Sequence, residues 1–183
     1  MSTDNEQSLA NGDILVVDDD TTNLKFLVDL LTESGYRVRP ASDGELALRS
    51  VQAKLPELIL LDYNMPGMNG IEVCRLLKTD PETRDIPVIF LSGLEETDLK
   101  VKAIKAGAID YIIKPIKLPE LVGRIENHLK LYRLQQRLEN QSKKLIKEIE
   151  ERKRAENQLR IERDKLKKEN NNLQEQLKNA GIV

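Results

Sequence analysis

Over residues 13–131, short apolar runs alternate with longer segments in which apolar residues recur every three or four positions. Short continuous runs bounded by turn residues are typical of buried strands, and the longer period is typical of amphipathic helices. The runs predict strands at 14–17, 36–41, 58–61, 88–91 and 111–113. The segments between them predict a helix that ends at Gly35, then helices at 44–55, 70–79, about 95–106, and from about Pro119 onward.

This alternation predicts an α/β domain built on a parallel sheet with helices on both faces. The runs LILL (58–61) and VIFL (88–91) are apolar throughout, which fits strands that are covered on both sides. The segment YRVRPA (36–41) alternates and contains Pro40, which is tolerated at a sheet edge. Ligands bind such sheets beyond the carboxyl ends of the strands, so the residues that follow each strand form the candidate site.

Charged and polar side chains stand at these strand ends. Neighbouring carboxylates about 4 Å apart repel by roughly 4 kcal/mol at an effective dielectric constant near 20 unless a cation lies among them. A hard divalent ion with oxygen ligands, Mg²⁺ or alternatively Mn²⁺, offsets that repulsion, and an ammonium and a hydroxyl would stabilise a phosphoryl group beside it. Each feature alone has an ordinary structural explanation, because aspartates after a strand can simply cap the next helix and a Lys-Pro pair can simply form a turn. The prediction therefore depends on their joint occurrence. The residues are Asp18, Asp19 and Asp20 after the first strand, Asp62 after the third, Ser92 and Gly93 after the fourth, and Lys114 and Pro115 after the fifth.

Four motifs in this order, ILVVDDD, LILLDYNMPGMNG, VIFLSG and DYIIKP, resemble the receiver domain of two-component response regulators. The resemblance covers about residues 13–131. It implies a doubly wound, flavodoxin-like sheet of five parallel strands in the order 2-1-3-4-5, as in chemotaxis-type regulators. It also implies a phosphoacceptor switch rather than an enzyme, with no activity beyond self-phosphorylation and self-dephosphorylation.

In that family, the aspartate at the position of Asp62 accepts a phosphoryl group from a histidine kinase or a phosphotransfer protein. The resemblance implies that Asp19 and Asp62 bind Mg²⁺ directly and that Asp18 helps through a water molecule. It further implies that Asn64, two residues after the acceptor, offers its backbone carbonyl to the metal.

The same resemblance implies a switch. Lys114 would pair with the phosphoryl oxygens, Ser92 would move toward them, and Tyr111 would swing inward behind the displaced hydroxyl. The bond between Lys114 and Pro115 is often cis in this family, and an X-Pro bond adopts that form at modest cost.

Three further residues are assigned outside this machinery. Asp20 is a third acid that the chemistry does not require, so we interpret it as solvent-facing or as the cap of the next helix. Cys74 lies among apolar neighbours on a helix and is predicted to be a core residue. His128, the single histidine, has no evident ligand or catalytic partner in the sequence.

Charge divides the chain of 183 residues into two parts. Residues 1–131 carry 15 Lys or Arg and 22 Asp or Glu, a net charge of −7, whereas residues 132–183 carry 14 and 9, a net charge of +5. The single cysteine excludes an intramolecular disulfide and suits a reducing compartment, which we predict to be the cytoplasm. The polar lead, residues 1–12, is predicted to be disordered, and no apolar run approaches a membrane span.

Beyond residue 131 a seven-residue leucine repeat predicts a coiled coil over 132–177, continuous with the last receiver helix and followed by a short tail, 178–183. Arg152 replaces one leucine of the repeat, and most of the intervening a positions are polar. We expect a parallel homodimer, with a single solvated helix as the alternative. The predicted seam contains Leu131, Leu138, Leu145, Ile149, Leu159, Leu166, Asn170, Leu173 and Leu177.

Opposite charges flank this seam at the g and following e positions, as in Glu148 with Lys153 and Glu162 with Lys167. The stretch EIEERKRAENQL (148–159) resembles helices that connect receiver or sensory domains to catalytic output domains. The chain is therefore either a receiver with a dimerising stalk or the N-terminal regulatory part of a longer signalling enzyme of the diguanylate cyclase or histidine kinase type.

Two other classes fit less well. A leucine-zipper DNA-binding regulator would gather its basic residues ahead of the leucines, but here Lys and Arg are interleaved with Glu. A phosphatase similar to the haloacid dehalogenases also uses an aspartyl nucleophile, but it requires a second aspartate two residues later, where this chain has Asn64.

Overall fold

The computed structural model describes residues 11–93 and 97–179. Most of the predicted lead and most of the short C-terminal tail lie outside the described residues, as does the predicted start of the fourth helix. Strands and helices alternate as predicted. The elements are β1 (Asp13–Val17), α1 (Thr21–Glu33), β2 (Arg37–Ala41), α2 (Gly44–Ala53), β3 (Leu58–Asp62), α3 (Gly70–Thr79), β4 (Val88–Ser92), α4 (Thr97–Lys105), β5 (Asp110–Ile113) and α5 (Leu118–Asn179).

The five strands form one sheet in the order β2-β1-β3-β4-β5, and all neighbouring strands are parallel. The predicted fold class and strand order are therefore confirmed, including the edge position of β2. The chain reverses its direction of travel across the sheet after β2, so β1 and β3 are neighbours at the centre. A crevice at the carboxyl ends of these two strands is the usual ligand position in this topology.

Two apolar clusters fill the faces of the sheet because successive strand residues point to opposite sides. Leu15 and Val17 of β1 pack in one cluster with residues of α2, α3 and α4, whereas Ile14 and Val16 pack in the other with residues of α1 and α5. All five residues of β1, β3 and β4 are buried, as continuous apolar runs predict. This burial on both sides fixes the strand ends that carry the candidate site.

Side-chain caps set where two of the helices, α1 and α2, begin. Asp20 accepts hydrogen bonds from the N–H groups of Thr22 and Asn23, so the third acid caps α1, one of the two roles predicted for it. Asp43 caps α2 through the N–H of Leu46. The helix α2 ends at Ala53 rather than at 55 because the backbone of the next residue is already extended.

A network of ion pairs lies at the opposite edge of the sheet, where the strands start. The buried Asp13 accepts from Arg39 Nε at 3.0 Å and Lys54 Nζ at 2.5 Å. Glu57 accepts from the backbone N–H of Asp13 at 3.0 Å and from two nitrogens of Arg133 at 2.7 and 2.9 Å. Glu57 and Arg133 thereby connect the starts of β1 and β3 to α5.

The chain divides into two compact units, one up to Leu134 and one from Gln135. In the second unit, α5 continues as a single helix whose predicted seam residues are exposed. The side chains of its apolar seam residues, with the exception of Leu177, whose side chain lies outside the described part, are between 53% and 66% exposed: Leu138, Leu145, Ile149, Leu159, Leu166 and Leu173. Among residues 11–93 and 97–179, no helix is both long and apolar enough to cross a membrane.

Candidate functional site

Three of the predicted aspartates meet at the carboxyl ends of the two central strands. The register pairs Val17 of β1 with Leu61 of β3, so the residues that follow, Asp18 and Asp62, become neighbours. One carboxylate oxygen from each of Asp18, Asp19 and Asp62 lies within 4.8 Å of the others. Asp18 is 1% exposed and Asp62 is 6% exposed, whereas Asp19 faces solvent.

Lys114 brings a positive charge to this cluster. Its Nζ donates to Asp18 Oδ2 at 2.8 Å and to Asp62 Oδ1 at 2.5 Å. The residue directly follows β5, and its backbone N–H donates to the carbonyl of Ser92 at 2.7 Å. The bond from Lys114 to Pro115 is cis, as the resemblance implied.

Burial and charge act against each other at this site. Burial raises the pKa of Asp62 above its ordinary value, although the hydrogen bond and the charge of Lys114 lower it. Burial lowers the pKa of Lys114, but the hydrogen bonds to Asp18 and Asp62 more than compensate, so the pKa of Lys114 is raised. The two aspartates therefore favour the charged form of Lys114, whereas burial disfavours the ionised form of Asp62.

The donor set fits a hard divalent cation. Three carboxylates face one ammonium, so the cluster has an excess of negative charge that a cation would offset. All the available donors are oxygens, which Mg²⁺ and Mn²⁺ prefer over softer metals. Asp19 is the exposed member, and its open side leaves room for the water ligands that Mg²⁺ retains.

The loop after Asp62 is shaped by its glycines. Asn64 donates its backbone N–H to Asp62 Oδ2 at 2.9 Å, which orients the carboxylate from the side opposite Lys114. Gly67 has φ of +77°, a conformation that favours glycine. A Cβ on Gly70 would lie 2.2 Å from the Asp62 carbonyl oxygen, so only glycine lets α3 start this close to β3.

The two predicted switch residues lie on neighbouring strands. Ser92 ends β4 and is buried, one residue beyond the Leu91 that pairs with Asp62. Tyr111 on β5 is half-buried against the apolar cluster of α3 and α4, and Lys100 Nζ lies 4.8 Å from its ring centroid. The structure thus places Ser92 at the end of the strand next to Asp62, and Tyr111 on the next strand outward.

Cys74 and His128 lie outside this cluster, and the structure agrees with the sequence for the first but adds a partner for the second. Cys74 is completely buried, as predicted, and burial raises its pKa to about 11. His128 does have a partner: its Nε2 lies 3.1 Å from Asp110, which also accepts two hydrogen bonds from Arg124 at 2.7 and 2.8 Å. Sequence spacing gave no signal for this cluster because Asp110 and His128 belong to different elements.

Comparison with known proteins decides the family. Residues 14–126 match the family described as the response regulator receiver domain. The chain belongs to this family. The response regulator PleD of Caulobacter vibrioides is 43% identical to this receiver over 114 residues, which is 62% of this chain and 25% of PleD.

Another relative reaches beyond the receiver. A probable cyclic di-GMP phosphodiesterase of Vibrio cholerae is 36% identical over 143 residues, which is 78% of this chain and 32% of that protein. Among solved structures, a putative response regulator from Chloroflexus aurantiacus is 36% identical with a TM-score of 0.62, over 64% of this chain and 96% of that one. The chain therefore spans about a quarter to a third of these two curated relatives, and its likeness to them is centred on the receiver.

Proposed function

We propose that this receiver domain accepts a phosphoryl group on Asp62 from a histidine kinase or a phosphotransfer protein, in a Mg²⁺-dependent reaction. One observation carries the proposal: Asp62 is buried at the carboxyl end of a central strand, in contact with Lys114 and within 4.8 Å of Asp18 and Asp19. A buried carboxylate with a second acid and a fixed ammonium beside it is a perturbed group of the kind found at functional sites.

Each residue has a part in that transfer. A carboxylate oxygen of Asp62 attacks phosphorus, a P–O bond forms, and the bond to the nitrogen of the donor histidine breaks. Asp18, Asp19 and Asp62, with the backbone carbonyl of Asn64, are proposed to hold the divalent ion, with Asp18 acting through water, and the ion supplies positive charge to the phosphoryl oxygens. Lys114 supplies a second positive charge without having to be recruited, because it already lies in the cluster.

The change after transfer is proposed to pass through Ser92 and Tyr111. The Ser92 hydroxyl would move toward the new phosphoryl oxygens, and Tyr111 would follow it inward. The proposal is supported by their positions at the end of β4 and on the adjacent β5. Phosphorylation acts only through its different fit to the two arrangements, so both must exist in equilibrium beforehand.

The tail is proposed to make a parallel homodimer through its heptad seam, in the cytoplasm. Leucines more than half exposed along one helix face support a helical partner, because such a face is marginal alone. We infer a protein partner downstream rather than nucleic acid, since the basic residues of the tail alternate with acidic ones.

A second candidate keeps the same switch but places it in a larger protein. In that reading, residues 1–179 regulate a catalytic module that follows them, of the diguanylate cyclase or histidine kinase type. The observation that favours it is the likeness to two longer proteins, PleD and the probable cyclic di-GMP phosphodiesterase, of which the matches cover only 25% and 32%. The second match, over 143 residues, is also longer than the receiver match at 14–126.

Phosphorylation by a small donor tests the central claim. Incubation with acetyl phosphate and Mg²⁺ is expected to add one phosphoryl group to the intact chain, detected by mass spectrometry, and chelation of the metal should prevent it. Asp62→Asn should abolish the addition and Asp19→Asn should strongly reduce it. Asp20→Asn is the matched control, since Asn also caps helices and should leave uptake intact. Unchanged uptake by Asp62→Asn would refute the assignment.

The tail is tested separately by measuring mass in solution, with and without beryllofluoride and Mg²⁺. A dimer in either condition supports the proposed seam. A monomer in both, at concentrations that allow the uptake reaction, would leave the phosphoacceptor assignment intact and reject the dimer.

A further inference from the structure

One layer of the tail breaks the leucine repeat with charge. Arg152 occupies position d of one heptad and Glu156 occupies position a of the next, between Ile149 and Leu159. Within the helix, Arg152 Nε lies 3.4 Å from Glu156 Oε1, and the two side chains are 81% and 67% exposed. An ion pair that exposed contributes little to one helix, so its place in the seam needs another explanation.

We propose that this layer fixes the register of the homodimer: Arg152 of each copy pairs with Glu156 of the other. The inference deepens the proposed tail dimer and rests on it. In a parallel coiled coil, a side chain at position a inserts beside the preceding d residue of the facing helix. In-register pairing therefore brings Glu156 next to Arg152 of the second copy, and the two-fold symmetry repeats the contact.

A slipped register loses both contacts. If one copy slides by a heptad, the same kind of contact places Arg152 against Ile149 or Arg163 of the facing helix, and Glu156 against Leu145 or Leu159. A charge moved against an apolar neighbour is desolvated without a partner, which disfavours the slipped dimer. The leucine layers alone do not discriminate as strongly, because a slide by seven residues places most leucines opposite leucines again.

The flanking charges exclude the antiparallel arrangement that would also pair Arg152 with Glu156. In an antiparallel pair centred on this layer, g positions meet g positions and e positions meet e positions. Glu148 would then lie against Glu162 of the other helix, and Lys153 against Lys153 of the other helix. Parallel helices instead place Glu148 near Lys153 and Glu162 near Lys167. The layer and its flanks therefore favour one orientation and one register, through attraction in the correct dimer and repulsion in the wrong one.

A shallow groove on the same helix face fits the second copy. Its lining includes positions d, g, a, d, e and a of successive turns, which together make two consecutive holes for the knobs of a parallel partner. The residues at these positions are Leu159, Glu162, Arg163, Leu166, Lys167 and Asn170.

Charge-reversed chains test the layer. We would prepare Arg152→Glu and Glu156→Arg, each combined with Asn170→Cys, and mix them in a glutathione redox buffer. A disulfide between positions 170 reports parallel, in-register pairs, and the native Cys74 does not interfere because it is completely buried. One chain carries two acids in the layer and the other carries two arginines, so cross-linked heterodimers should outnumber both homodimers combined severalfold. The matched control reverses Lys147 and Glu151, an i,i+4 pair outside the seam, in the same two-chain format.

Each outcome decides a different point. The control mixture should give as many heterodimers as both homodimers combined, which is the random result. The same random result for the Arg152 and Glu156 variants would overturn the register layer while leaving the tail dimer in place. If Asn170→Cys with the native layer forms no disulfide at all, the in-register seam itself is wrong, and phosphorylation of Asp62 is unaffected by either result.

Discussion

Replacing Gly70 by alanine should damage the candidate site by a purely steric route. The added Cβ would lie 2.2 Å from the carbonyl oxygen of Asp62 and 2.9 Å from Cε1 of Phe90. The oxygen belongs to the backbone of β3, which is buried along its whole length and cannot rotate away. Relief therefore requires α3 to move away from the strand that carries Asp62, the proposed phosphoacceptor.

The expected cost follows from the size of that overlap. Overpacking a well-packed region typically costs 1–3 kcal/mol, and a clash with backbone places Gly70→Ala at the upper end, about 3 kcal/mol. The matched control is Gly123→Ala on α5, where the added Cβ meets no atom within 4 Å. In a helix interior that change should stabilise by about 0.5–1 kcal/mol, so one substitution type should give opposite signs at two positions.

Urea unfolding measures both changes. The four tyrosines, at positions 36, 63, 111 and 132, all lie in the first compact unit, so tyrosine fluorescence follows the receiver rather than the tail. With the m-value unchanged, the midpoint should fall for Gly70→Ala and rise for Gly123→Ala. A Gly70→Ala protein that unfolds at or above the wild-type urea concentration would refute the claim that the β3–α3 approach requires glycine.

Three further predictions concern ionisation. Burial raises the pKa of Asp62, so ionisation of this carboxyl group destabilises the folded state above that pKa. Without Mg²⁺, Asp62→Asn should therefore have a higher melting temperature than wild type at pH 7. The difference should vanish as the pH falls below about 4, where the carboxyl group is protonated in the unfolded chain as well. Ionisation of Glu57 has the opposite effect on stability, because the hydrogen bonds from Arg133 lower the pKa of this carboxyl group. Glu57→Gln should therefore reduce the free energy of unfolding by about 1 kcal/mol at pH 7, a value kept small by the partial exposure of the pair. Below the folded-state pKa of Glu57 the substitution should cost nothing. Unfolding curves measured across pH check both, and parallel pH dependences for the two variants would contradict them. The thiol of Cys74, with a pKa near 11, should react with Ellman's reagent only in urea; rapid reaction of the native chain would show that it is not buried.

Periodicity predicted the elements of the receiver well because its strands are buried on both faces. LILL and VIFL have no solvent-facing position, so their whole length is apolar and their ends are sharp in the sequence. Even there the structure extends each strand by one polar residue, Asp62 and Ser92, which pair in the sheet although they are not apolar. The composition of a run shows where burial ends, whereas hydrogen bonding decides where a strand ends.

The convergence of Asp18, Asp62 and Lys114 was also predictable, since parallel strands end at one edge and these residues follow three of them. What the sequence could not supply is the pairing itself: Lys114 bonds to both aspartates at once, and Asn64 holds the other side of Asp62 through its N–H. Those contacts depend on register and side-chain rotamers, which no periodicity encodes.

The sequence by itself determined the fold class, the positions of the candidate site residues and the heptad repeat of the tail, because local patterns of residue type specify each of them. The strand order came from the family resemblance. Only the tertiary structure decided which distant charges meet. Glu57 and Arg133 form an ion pair across 76 residues of sequence. The contact between Asp110 and His128 was not predicted from the sequence. Long-range ion pairs form where packing brings elements together, and their partners follow no fixed spacing along the chain.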